Sequence, residues 1–185
     1  MAQVYVGIGS NIDREFSIAK GIGLIEELIA HVRCSPVYQS KALGFNGPDF
    51  YNLVGAFETS LTLTVLAEQL RFIEYRCGRP KQAHKCSSRM LDIDLLLYDD
   101  VICDTPCVLP RPEICMNAFV LRPLAELAGD KRHPITGVSL QQMWLQLAPN
   151  NSSPLTRVDD SFLTQMSDAY DHPTRNYPLP HSGVY

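Results

Sequence analysis

The segment that most restricts how this chain can fold is 90–98, in which two aspartates interrupt a run of leucine and isoleucine. Aspartate is depleted from β-strands and is costly to bury without a partner. Because successive side chains of a strand point to opposite faces, Asp92 and Asp94 would share one face while the intervening apolar residues fill the core on the other. We therefore predict a buried strand whose second face carries a pair of carboxylates.

Periodic apolar residues in the rest of the chain predict an α+β protein. We expect strands at 3–8, 32–40, 52–60 and 90–98, with a short fifth at 101–104. We expect helices at 16–30, 63–78, 119–129 and 139–148. The order β-α-β-β-α-β is typical of an antiparallel sheet covered by helices. This domain is predicted to span 1–148, and the polar segment 149–185 is predicted to be an extended or mobile tail.

The composition is that of an ordinary globular domain. The 185 residues are 45% hydrophobic and carry a formal net charge of -4, which argues against a nucleic-acid partner. No apolar run reaches the ~18 residues that span a bilayer, and the first residues lack the basic stretch of a secretory signal, so no membrane association is expected. The six cysteines include no Cys-x-x-Cys pair, so we expect reduced thiols in the cytoplasm rather than disulfides or a metal site.

The segment just before the acidic strand is basic. Its cationic side chains are Arg79, Lys81, Lys85 and Arg89. Two like charges on one face repel each other unless a cation lies between them, and oxygen ligation completed by water and phosphate suits Mg²⁺. An acid pair that binds metal, next to a cationic segment, is what phosphoryl transfer needs. The alternative is a solvated strand face beside a solvated charged loop, in which Asp92 and Asp94 have no chemical role.

Two further features concern ligands. The segment GIGSNI lacks the third glycine of a dinucleotide-binding loop and the lysine of a Walker loop, so we interpret it as a tight turn from strand to helix. Phe50 follows a loop rich in Gly and Pro and comes two positions before Asn52. An exposed ring beside an amide suits a flat heterocycle, whereas an isolated aromatic residue usually belongs to the core.

Seven short motifs occur in order along about residues 4–147: VGIGSN, YQSKALG, PDFYN, ETSL, IEYRCGR, RMLDIDLLLY and FVLRPLAELA. In this order they resemble the 6-hydroxymethyl-7,8-dihydropterin pyrophosphokinase (HPPK) family. The resemblance implies a ferredoxin-like α/β sandwich with a mainly antiparallel sheet. It also implies an enzyme of folate biosynthesis that transfers pyrophosphate from ATP to the pterin hydroxymethyl group, releases AMP and uses two Mg²⁺ ions.

The resemblance also assigns roles to individual residues. The expected catalytic residues, of which the two aspartates would hold the metal ions, are Arg79, Arg89, Asp92 and Asp94. The residues expected to bind ATP are Arg71, Glu74, Lys81, Lys85 and Arg111. The residues expected to bind the pterin are Ser40, Leu43, Phe50, Asn52 and Phe119. Loops 43–50 and 80–88 would close over the two substrates, and a monomer is expected.

The chain departs from the family pattern at several positions. Cys86 begins a Cys-Ser-Ser segment where the family has Trp-Gly-Pro, Arg111 replaces a histidine, and Cys115 and Asn117 stand where basic residues are common. Each lost cationic contact with the triphosphate is expected to weaken ATP binding, or to slow the transfer, by about 1–3 kcal/mol. Arg111 is expected to offset part of this loss. Two alternatives stay open, a diverged paralogue acting on another small alcohol and a non-catalytic pterin- or nucleotide-binding module. RNA binding on the sheet is disfavoured by the charge and by the missing aromatic signature.

Overall fold

A computed structural model describes residues 1–78, 88–151 and 154–163 of the protein, and six strands in this part form a single sheet. The strands are β1 (Ala2–Ser10), β2 (Arg33–Cys34), β3 (Tyr38–Ser40), β4 (Phe50–Thr59), β5 (Asp92–Tyr98) and β6 (Thr156–Arg157). The α-helices are α1 (Arg14–Leu28), α2 (Leu63–Arg76), α3 (Glu113–Met116), α4 (Ala118–Ala128) and α5 (Leu140–Leu147), and a 3₁₀ turn follows at Ala148–Asn150.

The sheet has the order β5-β1-β4-β3-β6, and β2 also pairs with β4. Every pairing among these strands is antiparallel. The two long strands β1 and β4 lie at the centre, in register from Ala2 opposite Thr59 to Ser10 opposite Tyr51. With β5 and β3 outside this pair, the strands have the ferredoxin-like arrangement of a β-α-β-β-α-β chain. The predicted fold class is therefore confirmed.

The two faces of the sheet pack against different helices. On one face, Val4 and Val6 of β1 join a cluster that includes Ile18 and Ile25 of α1 and Leu66 of α2. These five side chains are fully buried, with no measurable exposure. The apolar stripes of α1 and α2 thus cover this face along the length of β1, and they leave any ligand site to the opposite face.

The opposite face is covered by helices α4 and α5 at one end only. There Tyr5 and Val54 of the sheet pack with Leu121 of α4 and Leu140 of α5. Each of these side chains is buried, and the cluster that they form is separate from the first. The rest of this face, towards the end of β1 and the start of β5, forms the floor of a cavity.

Side chains alternate along β5 as the sequence predicted. Ile93 lies in the cluster under α1 and α2, whereas Asp92 and Asp94 line the cavity on the other face. Across the β1–β5 pair, Asp92 stands opposite Gly9 and Asp94 stands opposite Gly7. Because the cross-strand neighbour has no side chain, the space above each carboxylate stays open. Gly7 and Gly9 of β1 therefore shape the cavity as directly as the two aspartates of β5 do.

Two predicted strands differ from the observed ones. The strand expected at 101–104 is absent: Cys103 makes a single isolated bridge with Leu109, because this segment turns back on itself and pairs with no strand of the sheet. The strand expected at 32–40 is split into β2 and β3 around Pro36, which has no N–H to donate to β4. The Ser35 hydroxyl accepts the Val54 N–H at 2.9 Å and holds the segment against β4 at the break.

The described part of the predicted tail packs on the sheet. Its strand β6 pairs with β3, and the Val158 N–H donates to the Val37 carbonyl at 3.0 Å. Phe162 is buried in the cluster beneath α1 and α2. The domain boundary predicted at residue 148 stays a prediction. Residues 156–162, which belong to the predicted tail, pack against the sheet and the core of the domain predicted for 1–148. None of the helices in the described ranges has the length and apolar character needed to cross a membrane.

Candidate active site

One cavity of about 240 Å³ lies on the open part of the sheet, between the loop that precedes β4 and the start of α4. Nine of the predicted site residues line it: Ser40, Leu43, Phe50, Asn52, Arg89, Asp92, Asp94, Arg111 and Phe119. The fold thus brings the residues predicted for the pterin and for the phosphates into one space. Their separation along the sequence is bridged by the antiparallel pairing of β1 with both β4 and β5.

The carboxylate pair is held by two arginines at one end of the cavity. Arg89 forms an ion pair with Asp92, and Arg111 Nη2 lies 2.8 Å from Asp94 Oδ1. Burial, and after it the nearby charge of Asp92, raise the pKa of Asp94 to about 6, and the attraction of Arg111 offsets only part of this rise. The surroundings therefore disfavour the charged form of Asp94, and a cation bound beside it would relieve this.

Arg111 occupies the position where the family pattern has a histidine, and its side chain does reach the cavity. Its Nε lies 3.2 Å from Glu113 Oε2, and its backbone N–H donates to the Leu96 carbonyl at 3.0 Å. These contacts fix the guanidinium between Asp94 and Glu113. The side chain of Cys115 points elsewhere, towards His133 Nε2 at 3.8 Å, so it does not substitute for a lost cation in the cavity.

The other end of the cavity has the shape and polarity for a flat ring. Phe50 and Phe119 both line it, and Phe45 packs edge-on to Phe50 with the ring centroids 6.3 Å apart. Asn52 is buried and donates through Nδ2 to Ser40 Oγ at 3.0 Å. This contact fixes the amide so that its Oδ1 lies beside Gly9, where an added Cβ would be 3.3 Å away.

Two predicted residues within the described ranges, Arg71 and Glu74, are not among those that line the cavity. Glu74 is buried on the other side of β5, where its Oε1 accepts the Ile93 N–H at 3.0 Å, and Arg71 is exposed on α2. The nucleotide contacts predicted for Glu74 and Arg71 stay predictions. The remaining three, Arg79, Lys81 and Lys85, lie outside the described residues.

Sequence reasoning missed several residues that line the cavity. They are Lys41, Phe45, Glu113 and Val120, together with Gly7 and Gly9. The glycines were seen only as a failed nucleotide loop. Phe45 lies within the loop 43–50 that the sequence did single out, and Lys41 lies just before it. Proximity to that loop could therefore have identified both residues as candidates for the cavity lining. Glu113 had no such signal, because the short helix α3 was not predicted. Val120 follows the predicted residue Phe119 in α4, a helix that the sequence did predict.

Asp92 and Asp94 fit a magnesium site in which the protein supplies only part of the ligands. Within the described ranges, no three or more His, Cys, Asp or Glu side chains are grouped as a ready-made cage for a metal ion. Two carboxylates are the part of a shell that a protein supplies when water and substrate phosphate supply the rest. Asp92 and Asp94 share a face and an open space, so they suit that incomplete kind of site.

The fold and the cavity together define a ferredoxin-like α+β protein with a small-molecule site, aromatic at one end and made of carboxylates and arginines at the other. A family model described as 7,8-dihydro-6-hydroxymethylpterin-pyrophosphokinase (HPPK) matches residues 5–129. The chain belongs to this family.

Named relatives show the same family at different lengths. The chain is 39% identical over 138 residues to the 2-amino-4-hydroxy-6-hydroxymethyldihydropteridine pyrophosphokinase of Aquifex aeolicus, covering 73% of this chain and 86% of the relative. It is 31% identical over 180 residues to folic acid synthesis protein fol1 of Pneumocystis carinii, covering 90% of this chain but only 24% of that protein. A crystal structure of wild-type Plasmodium falciparum HPPK-DHPS superposes with a TM-score of 0.62 at 10% identity, covering 80% of this chain and 45% of that one. The last likeness shows the fold alone.

Proposed function

We propose that the protein transfers pyrophosphate from ATP to the hydroxymethyl group of 6-hydroxymethyl-7,8-dihydropterin and releases AMP, as a step of folate biosynthesis. Family membership supports this proposal, and so do the relatives named for this activity. The observation that carries it is a single cavity with Phe50, Asn52 and Phe119 at one end and the acid pair at the other. A pterin ring bound at the aromatic end would place its hydroxymethyl group towards the carboxylates if that substituent pointed along the sheet.

The aromatic end would bind the pterin ring. Phe50 and Phe119 offer apolar faces, and stacking on such faces favours a flat heterocycle. Asn52 would read the edge of the ring, since its Nδ2 is engaged by Ser40 and its Oδ1 faces the cavity beside Gly9 as an acceptor for a ring N–H. Leu43, which is 63% exposed, would be covered when the ring is bound.

The charged end would bind the polyphosphate. Asp92 and Asp94 would hold two Mg²⁺ ions, which would neutralise the charge on the phosphate oxygens. Arg89 and Arg111 lie in the same cavity and can donate charge-assisted hydrogen bonds to those oxygens. We also propose nucleotide contacts from Arg79, and from the Lys81 and Lys85 side chains of the same basic segment.

The transfer itself is an in-line displacement. The pterin hydroxyl oxygen forms a bond to the β-phosphorus while the bond from that phosphorus to the bridging oxygen of the α-phosphate breaks. AMP leaves with the bridging oxygen, and the hydroxyl proton is released. Positioning of the two reactants and stabilisation of negative charge are the main contributions that a protein makes to this kind of reaction.

Product analysis by phosphorus NMR tests the proposal. The protein with ATP, Mg²⁺ and the pterin should produce AMP and a pterin pyrophosphate, and Asp92→Asn should abolish both products. Asp130→Asn is the matched control, because Asp130 is an exposed acid that does not line the cavity. Formation of ADP, or no turnover by the unsubstituted protein, would contradict the proposal.

A second candidate is transfer to another small primary alcohol, and it is favoured by the presence of Arg111 and Asn117 in the lining. Calorimetric titration separates the two, since tight binding of the pterin supports the first candidate. A cytoplasmic location and a monomeric state are further proposals, which rest on the sequence composition. Size-exclusion chromatography with light scattering tests the second of these.

A further inference from the structure

A buried amide next to the cavity connects the two segments that line its opposite ends. Asn11 follows β1 directly, is 4% exposed and does not itself line the cavity. Its Nδ2 donates to the Pro48 carbonyl at 3.2 Å and to Ser88 Oγ at 3.2 Å. Its Oδ1 accepts the Arg89 N–H at 2.6 Å, and its own N–H donates to the Arg89 carbonyl at 3.1 Å.

The orientation of this amide follows from its partners. The Arg89 N–H can only donate, so Oδ1 must face it, and the two hydrogens on Nδ2 are then directed at Pro48 and Ser88. Asparagine is the short side chain that offers one acceptor and two donors from one rigid plane. Aspartate at this position would turn an acceptor towards the Pro48 carbonyl, which also has no proton to share.

The two segments that Asn11 joins serve different substrates in the proposed function. Pro48 ends the loop between β3 and β4, which contributes Leu43 and leads directly into Phe50 at the aromatic end. Arg89 leads into β5 and forms the ion pair with Asp92 at the charged end. If either segment moves, Asn11 must shift or lose a hydrogen bond, and its bonds to the other segment change as a result.

A second contact anchors the same loop to the body of the domain. Arg14, in the first turn of α1, donates through Nη1 to the Asp49 carbonyl at 3.1 Å, and its guanidinium lies 4.0 Å from the ring centroid of Tyr51. This contact reaches the pterin-side loop only. It has no described bond to Ser88 or Arg89, so it cannot link the two ends of the cavity as Asn11 does.

We propose that Asn11 is a positioning residue that couples nucleotide binding to pterin binding. The proposal rests on the proposed function, because it needs both ligands to occupy this cavity. Asn11 already contacts Ser88 and the Arg89 backbone on one side and Pro48 on the other. A ligand that stabilises the Arg89 segment in this position therefore also stabilises Pro48 and its loop in the arrangement that the second ligand needs. Ordering shared in this way makes the second ligand bind more tightly, and the effect is reciprocal.

The test is a calorimetric cycle in magnesium buffer with 6-hydroxymethylpterin and a non-hydrolysable ATP analogue. Pterin affinity is measured with and without saturating nucleotide, and the ratio is the coupling factor. We expect the unsubstituted protein to show a factor in the range of about 5–150 that is typical of coupled sites. In Asn11→Ala we expect a factor below about 2, with each ligand still binding alone.

Ser35→Ala is the matched control. Ser35 is buried and its hydroxyl bonds backbone groups, as Asn11 does, but it lies outside the cavity lining and bonds Val54 and Pro36 rather than either loop. We expect its coupling factor to match that of the unsubstituted protein. Loss of coupling in both variants would mean that general destabilisation is the cause, and it would overturn the proposal.

Ser88→Ala keeps the proposal testable if Asn11→Ala does not fold, because it removes one of the two Nδ2 contacts and leaves the Pro48 bond in place. We expect it to lower the coupling factor at least twofold. An unchanged factor in this variant, or a factor near one in the unsubstituted protein, refutes the coupling role. Failure of the unsubstituted protein to bind the nucleotide analogue, or to bind the pterin even with saturating nucleotide, would instead refute the proposed function, so the two failures are distinguishable.

Discussion

Replacing Asp94 with asparagine should stabilise the fold while it damages the site. The pKa of Asp94 is raised from 3.8 to about 6, first by burial and then by the charge of Asp92, and the attraction of Arg111 does not compensate. Folding thus favours the neutral form of Asp94 over the charged form, relative to the unfolded chain. Asparagine has nearly the shape of the neutral acid, so Asp94→Asn removes the unfavourable charge without opening a cavity.

The magnitude follows from the shift in pKa. A rise from 3.8 to about 6 corresponds to about 3 kcal/mol of unfavourable free energy in the charged form. The Asp94 side chain is 43% exposed, so solvent screening reduces this to roughly 1–2 kcal/mol. The sign is that of an acid whose pKa is higher in the folded state: the penalty is absent below pH 3.8, grows as the pH rises to about 6 and is complete above it.

Urea unfolding at several pH values measures this effect. We expect Asp94→Asn to raise the free energy of unfolding by about 1–2 kcal/mol at pH 8, by about half as much at pH 5 and by under a fifth as much at pH 4. Turnover should fall about a hundredfold or more, as when one contact to the transition state is lost. Asp130→Asn should change neither quantity. A variant that is less stable than the unsubstituted protein at pH 8 would refute the reasoning, because it would show that Asp94 is stabilised as an anion.

Three other substitutions test different parts of the structure. Glu74→Ala should lower the free energy of unfolding by about 1.5–3 kcal/mol in urea melts, since it leaves the buried N–H of Ile93 without its charged acceptor, and Glu74→Gln should cost less. Gly21→Ala should cost about 1–3 kcal/mol in the same melts, because the added Cβ would lie 2.6 Å from a methyl carbon of Leu91. Phe119→Ala should raise the KM for the pterin about tenfold or more in steady-state assays while the KM for ATP changes less than twofold, because the ring lines only the aromatic end.

The sequence predicted the sheet well because its strands have clear periodicity. Asp92 and Asp94 were expected on one face of a buried strand, and β5 has that alternation. The helices at 63–78 and 119–129 are observed with their ends moved by one or two residues. Local pattern suffices for such elements, because the apolar stripe that defines them is also the surface that they bury.

The features that the sequence did not reveal depend on contacts between distant segments. At Gly21, for example, α1 approaches Leu91 so closely that no side chain fits, and the periodicity that predicts the helix does not indicate this. Glu74 was assigned to the nucleotide by the family resemblance. Its burial against the edge of β5 follows from the packing of α2 on that strand, which no local pattern encodes.

The charges of the cavity show why an acid pair belongs in a site for polyphosphate. Its described lining contains three cationic side chains, Lys41, Arg89 and Arg111, and three acidic ones, Asp92, Asp94 and Glu113. These charges balance, and each arginine is paired with a carboxylate, so the described lining alone has little net attraction for an anion that carries several negative charges. In the proposed function, positive charge would therefore be supplied by metal ions on the acid pair or by the basic segment 79–85. In either case the acids would make phosphate binding conditional, because they neutralise the arginines until a cation replaces those ion pairs. A site built from arginines alone would bind any polyphosphate, whereas Asp92 and Asp94 would make this site select a polyphosphate that carries its own metal ions.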